Sequence, residues 1–223
     1  MLNNIIEIAH RGNSELHKDN TIDSFISALD NDFDMIELDI QLCKSGEIIV
    51  YHDTYINDKM IIDMDFKDLL QLEPDIITLE EFFNIPGMKD TYVYLDLKGN
   101  LEIADELVEF IEDKELNKDK IVIASFNLKH LEILFALNNE LQLGFITANN
   151  LSDSLYCKLG QLDYIDFVCI NWAMLDHESI ELINLLGMKL YAYTCSNKTI
   201  LKHMLEYNID GIVTNFKINS EED

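Results

Sequence analysis

Short runs of Ile, Val, Leu, Tyr and Phe recur along this chain. Between them lie longer stretches in which apolar residues return every three or four positions. The short runs predict strands at residues 5–9, 35–40, 48–51, 92–97, 121–124, 143–146, 167–170, 190–193 and 211–213. Several are apolar at almost every position, the pattern of parallel strands covered on both faces. The longer stretches predict helices. Ile22, Phe25, Ile26 and Leu29 share one helical stripe, with Asn20 or Thr21 as its N-cap. Ile103, Leu107, Phe110 and Ile111 form a second, Leu151, Leu155, Leu159 and Leu162 a third, and Ile200, Leu201, Met204 and Leu205 a fourth. Strand and helix alternating in this way predict an α/β fold, best matched by a TIM (β/α)8 barrel. Chemistry in such a barrel sits at the carboxyl ends of the strands.

Two features depart from a simple barrel. Nine strand candidates are one too many. The stretch from Leu38 to His52 is also too short for a helical crossover. It reads instead as a strand doubling back at Ser45-Gly46, which places His52 opposite Leu38 and Asp39. The only prolines, Pro74 and Pro86, fall in the connection at residues 53–91. That connection reads as a small insertion with short helices at 66–72 and 79–83, lying over or beside the mouth of the site. The tail after Val213 leaves no room for a full last helix, so incomplete wrapping is expected there. At 223 residues, 1–223 is expected to form one domain.

Charge narrows the function. Forty-two Asp and Glu against 16 Lys and Arg give a net charge of −26. That balance argues against binding a nucleic-acid backbone or adhering to anionic lipid. An anionic small molecule needs local positive charge, which a divalent cation with Arg11 and Lys98 would supply. The four cysteines form no C-x-x-C pair, so neither a zinc site nor a disulfide framework is expected, and all four read as small core residues. No secretory leader and no membrane-length apolar run is evident, and a cytoplasmic setting is expected.

Candidate chemistry clusters where the strand-like runs end. Glu37 and Asp39 are two apart on an apolar strand and share one face. Two carboxylates on a buried face repel, which a hard cation such as Mg2+ or Ca2+ relieves. Pairing with Arg11 or Lys98 is the alternative. His10 and His52 each follow an apolar run, and two imidazoles can act as base and acid in one displacement. Arg11 offers a planar fork to phosphate oxygens, and Gly12 allows a sharp turn or close approach. Lys98 shares a strand face with Asp96, where it either neutralises phosphate charge or forms an internal ion pair. His17, His130, His177 and His203 fall in loop or helix contexts and read as background.

In order, these residues resemble the glycerophosphodiester phosphodiesterase family over almost the whole chain. The matching motifs are His10-Arg11-Gly12, Asp19-Asn20-Thr21-x-x-Ser24-Phe25, Asp34-x-Ile36-Glu37-x-Asp39-Ile40 and Lys44-x-Gly46-x-x-x-Val50-x-His52-Asp53. Thr78-Leu79-Glu80-Glu81, Ser125-Phe126 and Asp210-Gly211-Ile212-Val213-Thr214-Asn215 follow. The resemblance implies a phosphodiesterase barrel of the phospholipase C-like type that hydrolyses glycerophosphodiesters to an alcohol and sn-glycerol 3-phosphate with a divalent cation. It implies Glu37, Asp39 and Asp96 as metal ligands, His10 and His52 as the acid–base pair, and Arg11, Lys98 and Tyr193 as phosphate- or substrate-binding residues. Asp19 and Asp96 stand where the family commonly has Glu, Tyr193 where it has Trp, and Asn215 where it has Asp. These departures leave two other readings: a non-catalytic barrel binding a phosphodiester or a protein, and a lysophospholipase D-type lipid hydrolase.

Overall fold

The computed structural model describes residues 5–150 and 153–218. Its first half runs β1 (Ile6–Ala9), α1 (Ile22–Asp30), β2 (Met35–Leu42), β3 (Ile48–Val50), β4 (Tyr55–Ile56), β5 (Lys59–Met60), α2 (Phe66–Leu72), β6 (Ile77–Thr78), α3 (Leu79–Phe83) and β7 (Tyr92–Leu97). The second half runs α4 (Ile103–Asp113), β8 (Ile121–Ser125), α5 (Leu128–Leu137), β9 (Gln142–Thr147), α6 (Asp153–Leu159), β10 (Phe167–Asn171), α7 (His177–Leu185), β11 (Lys189–Cys195), α8 (Lys198–Met204) and β12 (Gly211–Thr214).

Eight strands close a parallel barrel in the order β1-β2-β7-β8-β9-β10-β11-β12, with β12 returning to β1. The surplus ninth strand of the sequence pattern is β3, which lies outside the closed ring. It runs antiparallel to β2, pairing Ile40 with Val50 and Leu42 with Ile48, and carries β6 on its other edge. The chain reverses where Gly46 N–H donates to Cys43 O. Tyr51 N–H donates to Asp39 O at 3.0 Å, which continues the pairing toward His52. The short spacing after Leu38 thus makes a hairpin, because a helical crossover does not fit.

Apolar side chains fill two layers. Inside the barrel, Ile8, Met35, Tyr94, Val122, Ile146, Phe167, Tyr191 and Val213 form one cluster. Gly144 belongs to that layer by necessity, since a Cβ there would lie 2.1 Å from the Phe167 ring. A larger cluster joins the opposite strand faces to the helices, including Leu38, Leu95, Ile103, Leu107, Leu131, Ile183 and Met204. A third, small core of Cys43, Ile49, Ile56, Ile61, Met64, Leu69 and Ile76 sits between β3 and the segment that follows it.

The short helices expected at 66–72 and 79–83 are present as α2 and α3. Lys18 pairs with Glu73 and Asp75, drawing the chain after α2 against the β1–α1 connection. Glu73, Asp75 and Ile76 line a cavity of about 200 Å³ together with Arg11 and His52.

Two expectations change. In α1 the buried face is Ser24, Phe25, Ser27 and Ala28, whereas Ile22 and Ile26 are about 40% exposed. Hydrogen bonds explain the rotation: Ser24 Oγ donates to Arg11 O, and Ser27 Oγ accepts from Asn13 Nδ2. Cys43, Cys169 and Cys195 are core residues, but Cys157 faces solvent on α6. Leu151 of the third stripe lies outside the described residues. Among the described residues no helix follows β12, and Lys217 instead pairs with Glu7 of β1 at 3.2 Å. No helix among them is long and apolar enough to cross a membrane.

Candidate active site

The carboxyl ends of β1, β2 and β7 build one cup, with the chain leaving β3 as its outer wall. β1 delivers His10, whose N–H extends the ladder to Thr214 O at 2.9 Å. The next residue of β12's exit, Asn215, places its Oδ1 2.7 Å from His10 Nδ1. An amide oxygen only accepts, so Nδ1 carries the proton and Nε2 of the neutral ring keeps its lone pair. Burial first, and then the positive charge of Arg11, lower the His10 pKa to about 4. At neutral pH this ring is uncharged.

Arg11 and Gly12 both adopt left-handed backbone angles, φ 57° and 79°. The turn aims Arg11 N–H at Glu37 Oε2, 2.7 Å away. Gly12 is required: a Cβ there would lie 2.5 Å from Ser24 Oγ and 2.6 Å from the Ser24 backbone. The Arg11 guanidinium donates from Nη1 to Asp19 at 2.9 Å and sets Nε 2.9 Å from Asp39 Oδ2. The latter contact is ionic, with the N–H not aligned for a hydrogen bond.

β2 turns Glu37 and Asp39 to one face, and β7 sets Asp96 directly beside Asp39 in the ladder. All three are buried. Lys98 Nζ lies 2.6 Å from Asp96 and 3.2 Å from Asp39. Asn20 Nδ2 donates to Asp39 Oδ2 at 2.9 Å. Burial, then Asp39 and Asp96, push Glu37 well above the usual carboxylate range. Burial also raises Asp96, to about 7 against the pull of Lys98. Burial acts the same way on Asp39, yet Lys98 and Arg11 outweigh it and hold that carboxyl below its ordinary value.

Each of the two pairings left open for these acids therefore holds in part. Asp39 and Asp96 do meet Arg11 and Lys98. Two basic side chains nevertheless leave three buried carboxylates with a charge to spare. Their nearest ligand atoms all lie within 4.8 Å of one another. Asp96 Oδ1 is buried with no hydrogen-bond partner. An orphaned oxygen among three hard donors fits a divalent cation. The shorter Asp96 side chain meets Asp39 because the two strands are in register there.

His52 follows β3 and is partly exposed, with Nδ1 2.7 Å from Asp53 Oδ1. It lines the same cavity of about 130 Å³ as His10, Arg11, Glu37, Asp39, Asp96, Lys98 and Tyr193. Tyr193 donates its hydroxyl to Thr147 O at 3.2 Å and meets Phe126 edge-on at 6.1 Å. Phe126 also stands 5.2 Å from Lys98 Nζ. Every candidate site residue of the sequence thus comes to one place. His130, set aside as background, is elsewhere, buried between Ser125 Oγ and Asn100 O at 2.9 Å each.

Asn20 is the site residue that sequence reasoning assigned differently. Thr21 is the N-cap of α1, in a capping box with Ser24. Asn20, at φ 56°, is left to grip Asp39. A small amide just ahead of a competent cap was the available signal, since Asn tolerates the left-handed region.

The chain is similar to known proteins over nearly its full length. A profile of the Glycerophosphoryl diester phosphodiesterase family matches residues 10–218. A glycerophosphodiester phosphodiesterase of Caldanaerobacter subterraneus is 28% identical over 93% of this chain and 92% of its own. The crystal structure of a glycerophosphodiester phosphodiesterase from Thermotoga maritima superposes with a TM-score of 0.80 at 23% identity, covering 95% of this chain and 94% of that one. A phosphodiesterase of Oleispira antarctica, solved with its product sn-glycerol-3-phosphate, gives 0.82 at 22% identity, covering 94% and 92%. With its barrel and its matched span, the chain belongs to the glycerophosphoryl diester phosphodiesterase family.

Proposed function

We propose that this chain, acting as a single domain, hydrolyses glycerophosphodiesters to an alcohol and sn-glycerol 3-phosphate, with His10 as base and His52 as acid. The observation that carries this is the convergence of both imidazoles on one cup with three buried carboxylates. Glu37, Asp39 and Asp96 would hold Mg2+ or Ca2+. Such a cation, when bound, draws charge from the phosphate and offsets the mutual repulsion of its ligands. Arg11 and Lys98 line the same space and orient the remaining phosphate oxygens. Asn215 fixes the His10 tautomer, so Nε2 accepts the proton of the attacking oxygen, either water directly or a glycerol hydroxyl whose cyclic phosphate water then opens. Asp53 holds the His52 Nδ1 proton, and Nε2 returns a proton to the alcohol oxygen as its bond to phosphorus breaks. Tyr193 and Phe126 form the aromatic wall beside Lys98. The ligand is a small molecule, and the free thiols Cys43, Cys157, Cys169 and Cys195 accord with a reducing, cytoplasmic setting.

The test supplies several glycerophosphodiesters, with product coupled to detection of glycerol 3-phosphate, and a lysophospholipid beside them, with the released headgroup alcohol measured. The lysophospholipid is included because Leu16 and Phe126, on the loops after β1 and β8, are both exposed. The parent is expected to turn over glycerophosphodiesters, and His10→Ala and His52→Ala to lose that activity while keeping the fold. Parent-like turnover by both variants would overturn the assignment.

A further inference from the structure

His52 sits on chain that has left the sheet. β3 ends at Val50, and the last ladder bond before the histidine is Tyr51 N–H to Asp39 O. A proton donor on such a segment needs another restraint, because a displacement of about 1 Å can cost on the order of 100-fold in rate. Gln41 supplies one. It follows Glu37 and Asp39 on the same face of β2 and is 2% exposed. Its Nε2 donates to Tyr51 O at 2.7 Å and to Asp53 O at 2.8 Å. Both protons of the amide are used, and the two carbonyls they reach flank His52. Among the described residues the bond to Asp53 O is the only hydrogen bond to the backbone of residues 52 and 53.

We propose that Gln41 is the positioning residue that holds His52 for proton transfer to the leaving alcohol. The inference rests on the reading of His52 as the acid. Gln41 shares a rigid strand with two of the candidate cation ligands, so one element fixes both the cup and the acid relative to it. The residue itself touches neither substrate nor the reacting atoms. Its amide is suited to the task, since Glu at the same position would direct oxygens at two carbonyls and Met would offer no donor.

The leaving group separates positioning of an acid from a general structural role. An alkyl alcohol needs a proton as it departs, whereas a nitrophenolate leaves without one. The full chain is assayed with added divalent cation on an alkyl glycerophosphodiester and on the nitrophenyl ester of glycerol 3-phosphate. Parent, Gln41→Met, Gln41→Glu and His52→Ala are compared. For Gln41→Met, kcat on the alkyl diester is expected to fall on the order of 10- to 100-fold, with KM and the aryl-ester rate within about threefold of the parent. His52→Ala should show the same selectivity more strongly. Gln41→Glu keeps the shape and should follow Gln41→Met, which provides the answer if the Met variant does not fold. Equal losses on both substrates for the Gln41 variants, beside a selective His52→Ala, would overturn the inference alone. So would a parent-like rate on the alkyl diester. Equal losses for His52→Ala would remove the acid role, and this inference with it.

Discussion

Asn20 offers a sharp perturbation, because its amide spends both ends on one buried residue, Asp39. Nδ2 donates to Asp39 Oδ2 at 2.9 Å, and Oδ1 accepts the Asp39 N–H at 3.3 Å. A hydrogen bond to a charged group contributes about 1.5–3 kcal/mol net and a neutral one about 0.5–1.5 kcal/mol. Asn20→Gly removes both while keeping a residue at ease at φ 56°, and should cost about 3 kcal/mol. Asn20→Ala adds the left-handed penalty of about 1 kcal/mol. For a chain of this size the Gly variant should melt about 6–12 °C lower. Urea unfolding in chelator measures the stability loss. Calorimetric titration with Mg2+ or Ca2+ measures the second consequence, a fall in cation affinity of about 10- to 100-fold as Asp39 loses its orientation. A Gly variant within about 0.5 kcal/mol of the parent and with unchanged affinity would refute the reasoning.

Other outcomes follow from the same geometry. Gly12→Ala places a Cβ 2.5 Å from Ser24 Oγ at a left-handed residue, so it should destabilise by about 3 kcal/mol or more, or fail to fold; a parent-like melt contradicts this close approach. The His10 pKa is depressed from 6.5 to about 4, so its contribution to stability is present above 6.5 and is lost as pH falls through about 4. His10→Asn should therefore flatten the acid-side loss by about 3 kcal/mol, and chemical melts in which parent and variant lose the same stability between pH 7 and pH 4 would refute it. Asp96, raised to about 7, opposes this: its contribution is present below the usual carboxylate range and is lost as pH rises through about 7, and Glu37, raised by burial, acts in the same direction. A divalent cation should thus raise the melting temperature more at pH 8 than at pH 5, and equal gains would count against the triad as its ligands.

The barrel was legible because its strands are short, apolar and β-branched, and because the hairpin at Ser45-Gly46 broke the rhythm where it did. Strand period two placed Glu37 with Asp39 and Asp96 with Lys98. Two kinds of information were not in the pattern. One is the register between strands distant in sequence, which sets Asp39 beside Asp96 and lets Lys98 reach both. The other is competition among polar groups. Ile22 and Ile26 look like a core stripe, yet α1 turns Ser24 and Ser27 inward because their hydroxyls meet Arg11 and Asn13. Periodicity scores apolar residues alone and misses that contest. The role of Asn20 and the whole of Gln41 escaped notice for the same reason: each acts through a backbone or carboxylate partner brought close by the fold.

The account rests on a cation in the acidic cup, and cation dependence of turnover tests it most directly. Release of glycerol 3-phosphate from a glycerophosphodiester should vanish when the protein is stripped by chelator. It should return as Mg2+ or Ca2+ is titrated back, and Asp39→Asn should respond to neither. Undiminished turnover in chelator, or an Asp39→Asn variant restored like the parent, would contradict it.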